Sequence, residues 1–188
     1  MLTLQNIPGN DRLVRFLKRN PSLSSFLLSD CAHDMEGVTT IIQPVLQASQ
    51  RCQNTVFFIQ AVSLGSTGFL ATNLSPRRQE SLCATDIASS WTLGRGNTCA
   101  ISMRVKSVSR CHAVITYNPL LGFVLNDLGS KNGTWVNGKK VAAQSRHPLN
   151  DGDLLQFGTL EVELFVSHHQ DDLSHQQFAV DAMATTPG

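Results

Sequence analysis

Apolar positions in the first fifty residues recur at helical spacing. Leu13, Val14, Phe16 and Leu17 gather on one side of a helix that Asn10 is placed to cap. Asn20-Pro21 repeats the start signal, a cap residue followed by proline at the first helical position. Leu23, Phe26, Leu27 and Cys31 then follow at helix spacing, and Gly37 reads as the stop. A third helical segment is expected around 41–50, with Pro44 in its first turn, where proline costs least. The period then shortens. Residues 55–62 form an apolar run of strand formers closed by Gly65-Ser66-Thr67-Gly68, and 69–72 supply a second strand, giving a short β-hairpin.

Residues 73–80, with Pro76-Arg77-Arg78, are polar, and the main boundary is placed there. From 81 onward the chain reads as short strands and turns. Strands are expected at 91–93, around Ile101 and Met103, at 112–117 and at 123–127. Asn132-Gly133 and Asn137-Gly138 are tight-turn signals on either side of 134–136, and Asp151-Gly152-Asp153 is a further turn. Over 160–166 the pattern alternates, with Leu160, Val162, Leu164 and Val166 on one face. Many short strands with frequent turns indicate an all-β sandwich over about 80–166, preceded by a mostly helical region. The expected organisation is a helical region with a short hairpin (1–75), the β domain (76–166) and a flexible tail (167–188). His168, His169, Asp171, Asp172 and His175 fall in that polar tail, where nothing buried would organise them as metal ligands.

Composition narrows the function. The chain has 188 residues, 41% of them hydrophobic, enough for one domain of ordinary core size with an added region. A net charge of +1 gives no global argument for nucleic acid. The charge is unevenly placed, however: residues 94–147 hold eight Lys/Arg against one acid, Asp127. That basic segment lacks the interleaved aromatics of a nucleic-acid binder. Five cysteines, with no CxxC, define neither a disulfide framework nor a zinc site. No apolar run approaches the roughly 18 residues of a membrane span, so a cytoplasmic protein without membrane insertion is expected.

Within the basic segment, five residues are donors suited to an anion: the guanidinium of Arg95, the hydroxyl of Ser109, the cations Arg110 and Lys131, and the amide of Asn132. No carboxylate pair, metal cluster or cofactor motif accompanies them, so the set reads as recognition rather than catalysis. Cys111 and His112 are adjacent on an expected strand and face opposite ways, which argues against a thiol–imidazole nucleophile.

Gly94-Arg95, then Ser109-Arg110-Cys111-His112, then Leu128-Gly129-Ser130-Lys131-Asn132-Gly133-Thr134, then Val136-Asn137-Gly138 together resemble the forkhead-associated (FHA) family. The resemblance is to a bacterial-type member with an N-terminal helical extension, and it covers roughly residues 80–166. It implies a β-sandwich that binds phosphothreonine in a partner protein or peptide. By the resemblance Arg95 is the main phosphate-binding arginine and Ser109 donates its hydroxyl to the phosphate. Arg110 assists, Lys131 reaches the phosphate or acidic neighbours, and Asn132 bonds the peptide main chain. His112, Gly94, Gly133, Thr134, Asn137 and Gly138 are implied to be framework. The family's long first strand is not legible upstream of Trp91. A second reading keeps the scaffold but has it bind a partner without regard to phosphorylation, and a third makes a cysteine the functional group. The helices are expected to pack on the chain's own sheet or to mediate self-association.

Overall fold

The computed structural model describes residues 11–31, 34–74 and 82–169. Three helices come first: α1 (Asp11–Arg19), α2 (Pro21–Asp30) and α3 (Met35–Arg51). The Asn10 cap expected for α1 lies outside the described residues. Pro21 does open α2, but the Asn20 side chain does not cap it. Its Nδ2 donates to the Phe16 carbonyl at 2.8 Å and its Oδ1 accepts the Ala84 amide at 2.9 Å, so it ties helix to sheet. Phe26, expected on the packed face of α2, is instead exposed.

Gly37 does not stop α2. It lies inside α3, whose start is set by Asp34, which accepts the Glu36 and Gly37 amides at 3.0 and 3.2 Å. Pro44 is likewise interior. It removes the partner of the Thr40 carbonyl, and Thr40 is on the exposed side, where that carbonyl can be hydrated.

Two sheets follow. One has the strand order β3 (Cys83–Ala84), β2 (Thr67–Thr72), β1 (Phe58–Leu64), β12 (Leu160–His169), β11 (Leu154–Phe157), β8 (Thr134–Val136), β9 (Lys139–Lys140). The other runs β10 (His147–Pro148), β7 (Gly122–Asp127), β6 (Ala113–Asn118), β4 (Ser90–Gly94), β5 (Ile101–Ser102). Their facing sides enclose a core that includes Ile59, Leu70, Trp91, Leu93, Ile115, Phe123, Leu125, Phe157, Val162 and Leu164.

The β1–β2 hairpin, grouped by sequence with the helical region, is part of this sandwich. β1 pairs in parallel with β12 from Phe58↔Glu163 to Leu64↔His169, and antiparallel with β2. It is the upstream strand whose place in the sandwich the sequence did not reveal. The reason is that β1 is buried on both faces, so its apolar residues fall on both and no alternation marks its partner. Residues 167–169, assigned by sequence to the tail, are the last part of β12. Position 170 onward lies outside the described residues.

The second face of the hairpin explains the helices. Val62, Leu64, Phe69 and Ala71 pack against Leu13, Phe16, Leu17, Leu27, Ile41, Ile42 and Val45. The apolar faces of α1–α3 are therefore used by the chain's own sheet, the first of the two expectations for them. The last turn of α3 is fastened too. Arg51 reaches Asp151 at 2.6 Å and lies over the Phe165 ring at 4.2 Å. Buried Glu163 then accepts the Gln53 and Asn54 amides and the Asn54 side-chain amide at 2.6–3.0 Å. Those bonds, from Asn54 and Gln53 among others, hold its carboxyl below the usual range although burial opposes them.

Candidate functional site

Three loops meet at one end of the sandwich: 95–100 after β4, 105–111 before β6, and 128–133 between β7 and β8. The first two are joined by backbone. Arg95 N donates to Ser109 O at 2.8 Å and Gly96 N to Arg110 O at 3.0 Å. This approach needs glycine at 94, because a Cβ there would collide with the Arg110 carbonyl.

The side chains complete the junction. Ser109 Oγ accepts the Lys131 amide at 3.0 Å, and Asn132 Nδ2 donates to Ser107 O at 2.7 Å. Arg95 Nε donates to Val108 O at 3.2 Å, and the terminal nitrogens of this exposed residue have no hydrogen-bond partner among the described residues. Among the described residues no carboxylate forms an ion pair with Arg95, Arg110 or Lys131. Arg95, Ser109, Lys131 and Asn132 are thus brought together. Arg110 contributes its carbonyl to the Gly94–Gly96 contact, while its side chain is exposed beside the group.

His112 is fully buried under these loops. Its Nδ1 accepts the Ser109 amide at 3.0 Å, so the proton sits on Nε2, which donates to Gly133 O at 3.0 Å. Burial pushes its pKa down, and the Gly133 carbonyl and Asp127 only partly offset that. The Phe157 ring meets it edge-on at 5.6 Å. A neutral imidazole spanning two loops is a brace.

Asp127 was noted by sequence only as the one acid of the basic segment, and its structural part was missed. Its carboxylate accepts the Gly129 and Ser130 amides at 2.8 Å, the Ser130 hydroxyl at 2.6 Å and the Thr134 hydroxyl at 2.5 Å. Burial raises its pKa, but the Ser130 and Thr134 hydroxyls and the two amides outweigh it and the net shift is downward. Four donors on one anion shape the whole third loop. Gly133, at φ 86°, and the Asn137-Gly138 hairpin turn, at φ 51° and 75°, take left-handed conformations that favour these residue types. Asn137 also bonds Asp153 and the Leu154 amide at 2.8 and 2.9 Å.

The geometry is therefore a buried acid and a buried neutral histidine holding an exposed cluster of donors. Comparison with known proteins agrees. The family model described as the FHA domain matches residues 91–158, and this chain carries an FHA domain. An FHA domain is a binding module. A 101-residue stretch, 52% of the chain, is 33% identical to the E3 ubiquitin-protein ligase CHFR of Xenopus tropicalis and covers 16% of it. A 139-residue stretch, 66% of the chain, is 30% identical to the serine/threonine-protein kinase RAD53 of Saccharomyces cerevisiae, again covering 16% of it. The chain thus spans about one sixth of the length of these relatives. Among solved structures, the N-terminal FHA domain of S. cerevisiae Rad53p in complex with a phosphothreonine peptide is 36% identical, over 37% of this chain and 56% of that one, with a TM-score of 0.33. Among the described residues no helix is long and apolar enough to cross a membrane.

Proposed function

We propose that this chain binds phosphothreonine-containing segments of partner proteins and so makes a protein–protein contact depend on phosphorylation. The observation that carries the reading is the junction of Arg95, Ser109, Lys131 and Asn132 on one exposed face, with no carboxylate among the described residues paired with the cations. A phosphothreonine has roughly −1.5 to −2 charge and three strong acceptor oxygens. Arg95 supplies the guanidinium fork, Ser109 its hydroxyl proton, and Lys131 and Arg110 flanking charge. Asn132 keeps its Oδ1 for a peptide N–H while its Nδ2 holds the loop. The donors are pre-positioned by bonds that do not involve the ligand, which lowers the ordering cost of binding. A cytoplasmic signalling role goes with this reading.

The test is an oriented phosphothreonine peptide library, followed by titration of a selected peptide in phosphothreonine, phosphoserine and unphosphorylated forms. Preference for phosphothreonine is expected, with Arg95→Ala abolishing the discrimination. Equal affinity for the phosphorylated and unphosphorylated forms, unchanged by Arg95→Ala, would favour the phosphorylation-independent scaffold.

A further inference from the structure

Cys99 and Cys111 have a chemistry that phosphopeptide binding does not use. The Cys99 thiol, largely buried, donates to the Arg110 carbonyl at 3.1 Å. Cys111 is the next residue along and is exposed. The two side chains therefore meet around a single peptide group. The backbone holds them there: Gly96 N donates to the same Arg110 carbonyl at 3.0 Å, and Cys99 N reaches Gly96 O at 3.4 Å. Burial, and after it the charge and hydrogen bonding of the Cys111 side chain, raise the pKa of the Cys99 thiol. Cys99 is thus slow to ionise and shielded from solvent, whereas Cys111 is open to it.

We propose that Cys111 and Cys99 form an oxidisable pair, in which Cys111 takes up a small-molecule disulfide of the glutathione class and Cys99 resolves the adduct into a Cys99–Cys111 bond. In the first step the Cys111 thiolate attacks one sulfur of the small disulfide, whose S–S bond breaks. One small thiolate leaves and takes the proton that Cys111 gave up. In the second step Cys99, deprotonated, attacks the Cys111 sulfur and expels the second small thiol, which takes the Cys99 proton. Two protein thiols are oxidised and one small disulfide is reduced to two thiols. The bond ties the loop bearing Arg95 to the segment bearing Ser109. These already lie in register through Arg95 N–Ser109 O, so oxidation braces the donor cluster instead of displacing it.

The experiment incubates the full chain with excess oxidised glutathione, blocks remaining thiols, and maps tryptic peptides by mass spectrometry without reduction. Trypsin cleaves after Arg95, Arg104, Arg110 and Lys131, so Cys99 and Cys111 fall in separate peptides, 96–104 and 111–131. The expected product is these two peptides joined, lighter by two hydrogens than their sum. Cys99→Ser should instead accumulate glutathione on 111–131, and Cys111→Ser should leave 96–104 without an adduct. A wild-type protein that keeps glutathione on Cys111 and an alkylatable Cys99 overturns the proposal. So does Cys99 forming the adduct equally well in Cys111→Ser. Should either variant fail to fold, by circular dichroism, the wild-type map alone decides. No phosphopeptide is present, so this result and the binding reading succeed or fail separately.

Discussion

His112 Nδ1 accepts the amide proton of Ser109 across 3.0 Å, and this bond aims the residue expected to meet a phosphate. The opposite ring nitrogen holds Gly133 at the same distance, so one buried ring sets the spacing of two binding loops. Replacing it by alanine leaves a buried amide and a buried carbonyl without partners and opens a cavity beside Phe157. His112→Ala should lose about 2–6 kcal/mol of stability, from two unsatisfied groups at roughly 1–3 kcal/mol each. Urea unfolding measures that loss. Phosphopeptide affinity should fall as well, although His112 is buried beneath the face.

The same residue gives a pH dependence. Its pKa is lowered from 6.5 in the folded protein, so the unfolded chain binds the proton more tightly. The contribution is complete above the unfolded value and is lost as pH falls through it toward the folded one. His169 is also lowered from 6.5, by burial first and His168 second, and acts in the same sense. The urea midpoint should therefore fall between about pH 7 and pH 5, where model carboxylates are still largely ionised. His169→Gln should remove part of that slope and leave the share due to His112.

Asp127 makes the third loop conditional on one charge. Asp127→Asn preserves shape but turns one acceptor into a donor among four donors, so at least one of them loses its partner. A loss of about 1–3 kcal/mol is expected, with faster amide exchange at Gly129 and Ser130. In the wild-type protein the carboxylate contributes fully above its unfolded pKa of 3.8, and that contribution is lost as pH falls from there toward the lower folded value.

These residues mark the limit of what the sequence made legible. Arg95, Ser109 and Asn132 could be found because their types and order match a known pattern, and Gly133 and Asn137-Gly138 because left-handed turns restrict residue choice. Asp127 was visible only as an isolated acid, since a carboxylate that accepts from backbone amides and hydroxyls has no charged partner to betray it. The place of β1 was hidden for a different reason. Its partner β12 lies about a hundred residues away, as in Phe58↔Glu163, and a parallel pair leaves no turn signal between its strands. Gly37 and Pro44 misled because local propensity was overridden by packing: Val38, Ile41, Ile42 and Val45 are buried against the sheet and keep α3 continuous through both.

Glu163 offers a separation of stability from binding. It gathers the Gln53 and Asn54 amides where α3 ends, on the strand of the seven-stranded sheet that pairs with β1, whereas Arg95 follows β4 of the other sheet. Glu163→Ala removes a buried acceptor and leaves those amides to water or to nothing. A cost of about 1–3 kcal/mol is expected, with faster protease cleavage around residues 52–57. Phosphopeptide affinity should be unchanged, because none of the bonds that join the three binding loops involves Glu163.

Arg95→Lys tests whether the face requires geometry or only charge. Arg95 is anchored by Nε to Val108 O at 3.2 Å, which restrains the guanidinium and leaves its two terminal nitrogens without a partner among the described residues. Lysine keeps the positive charge but has neither that anchor nor a planar pair of donors, so its ammonium would meet the phosphate as a mobile point charge. If charge alone governed binding, Arg95→Lys would match the wild type and Lys131→Ala would cost as much as Arg95→Ala. The anchored fork predicts otherwise. Arg95→Lys should weaken a phosphothreonine peptide by about tenfold or more, equivalent to about 1.4 kcal/mol. Lys131→Ala, which removes an exposed side chain but keeps the backbone amide bound to Ser109 Oγ, should cost less and mainly flatten the salt dependence. Calorimetric titration of the three variants at low and high salt separates the two cases.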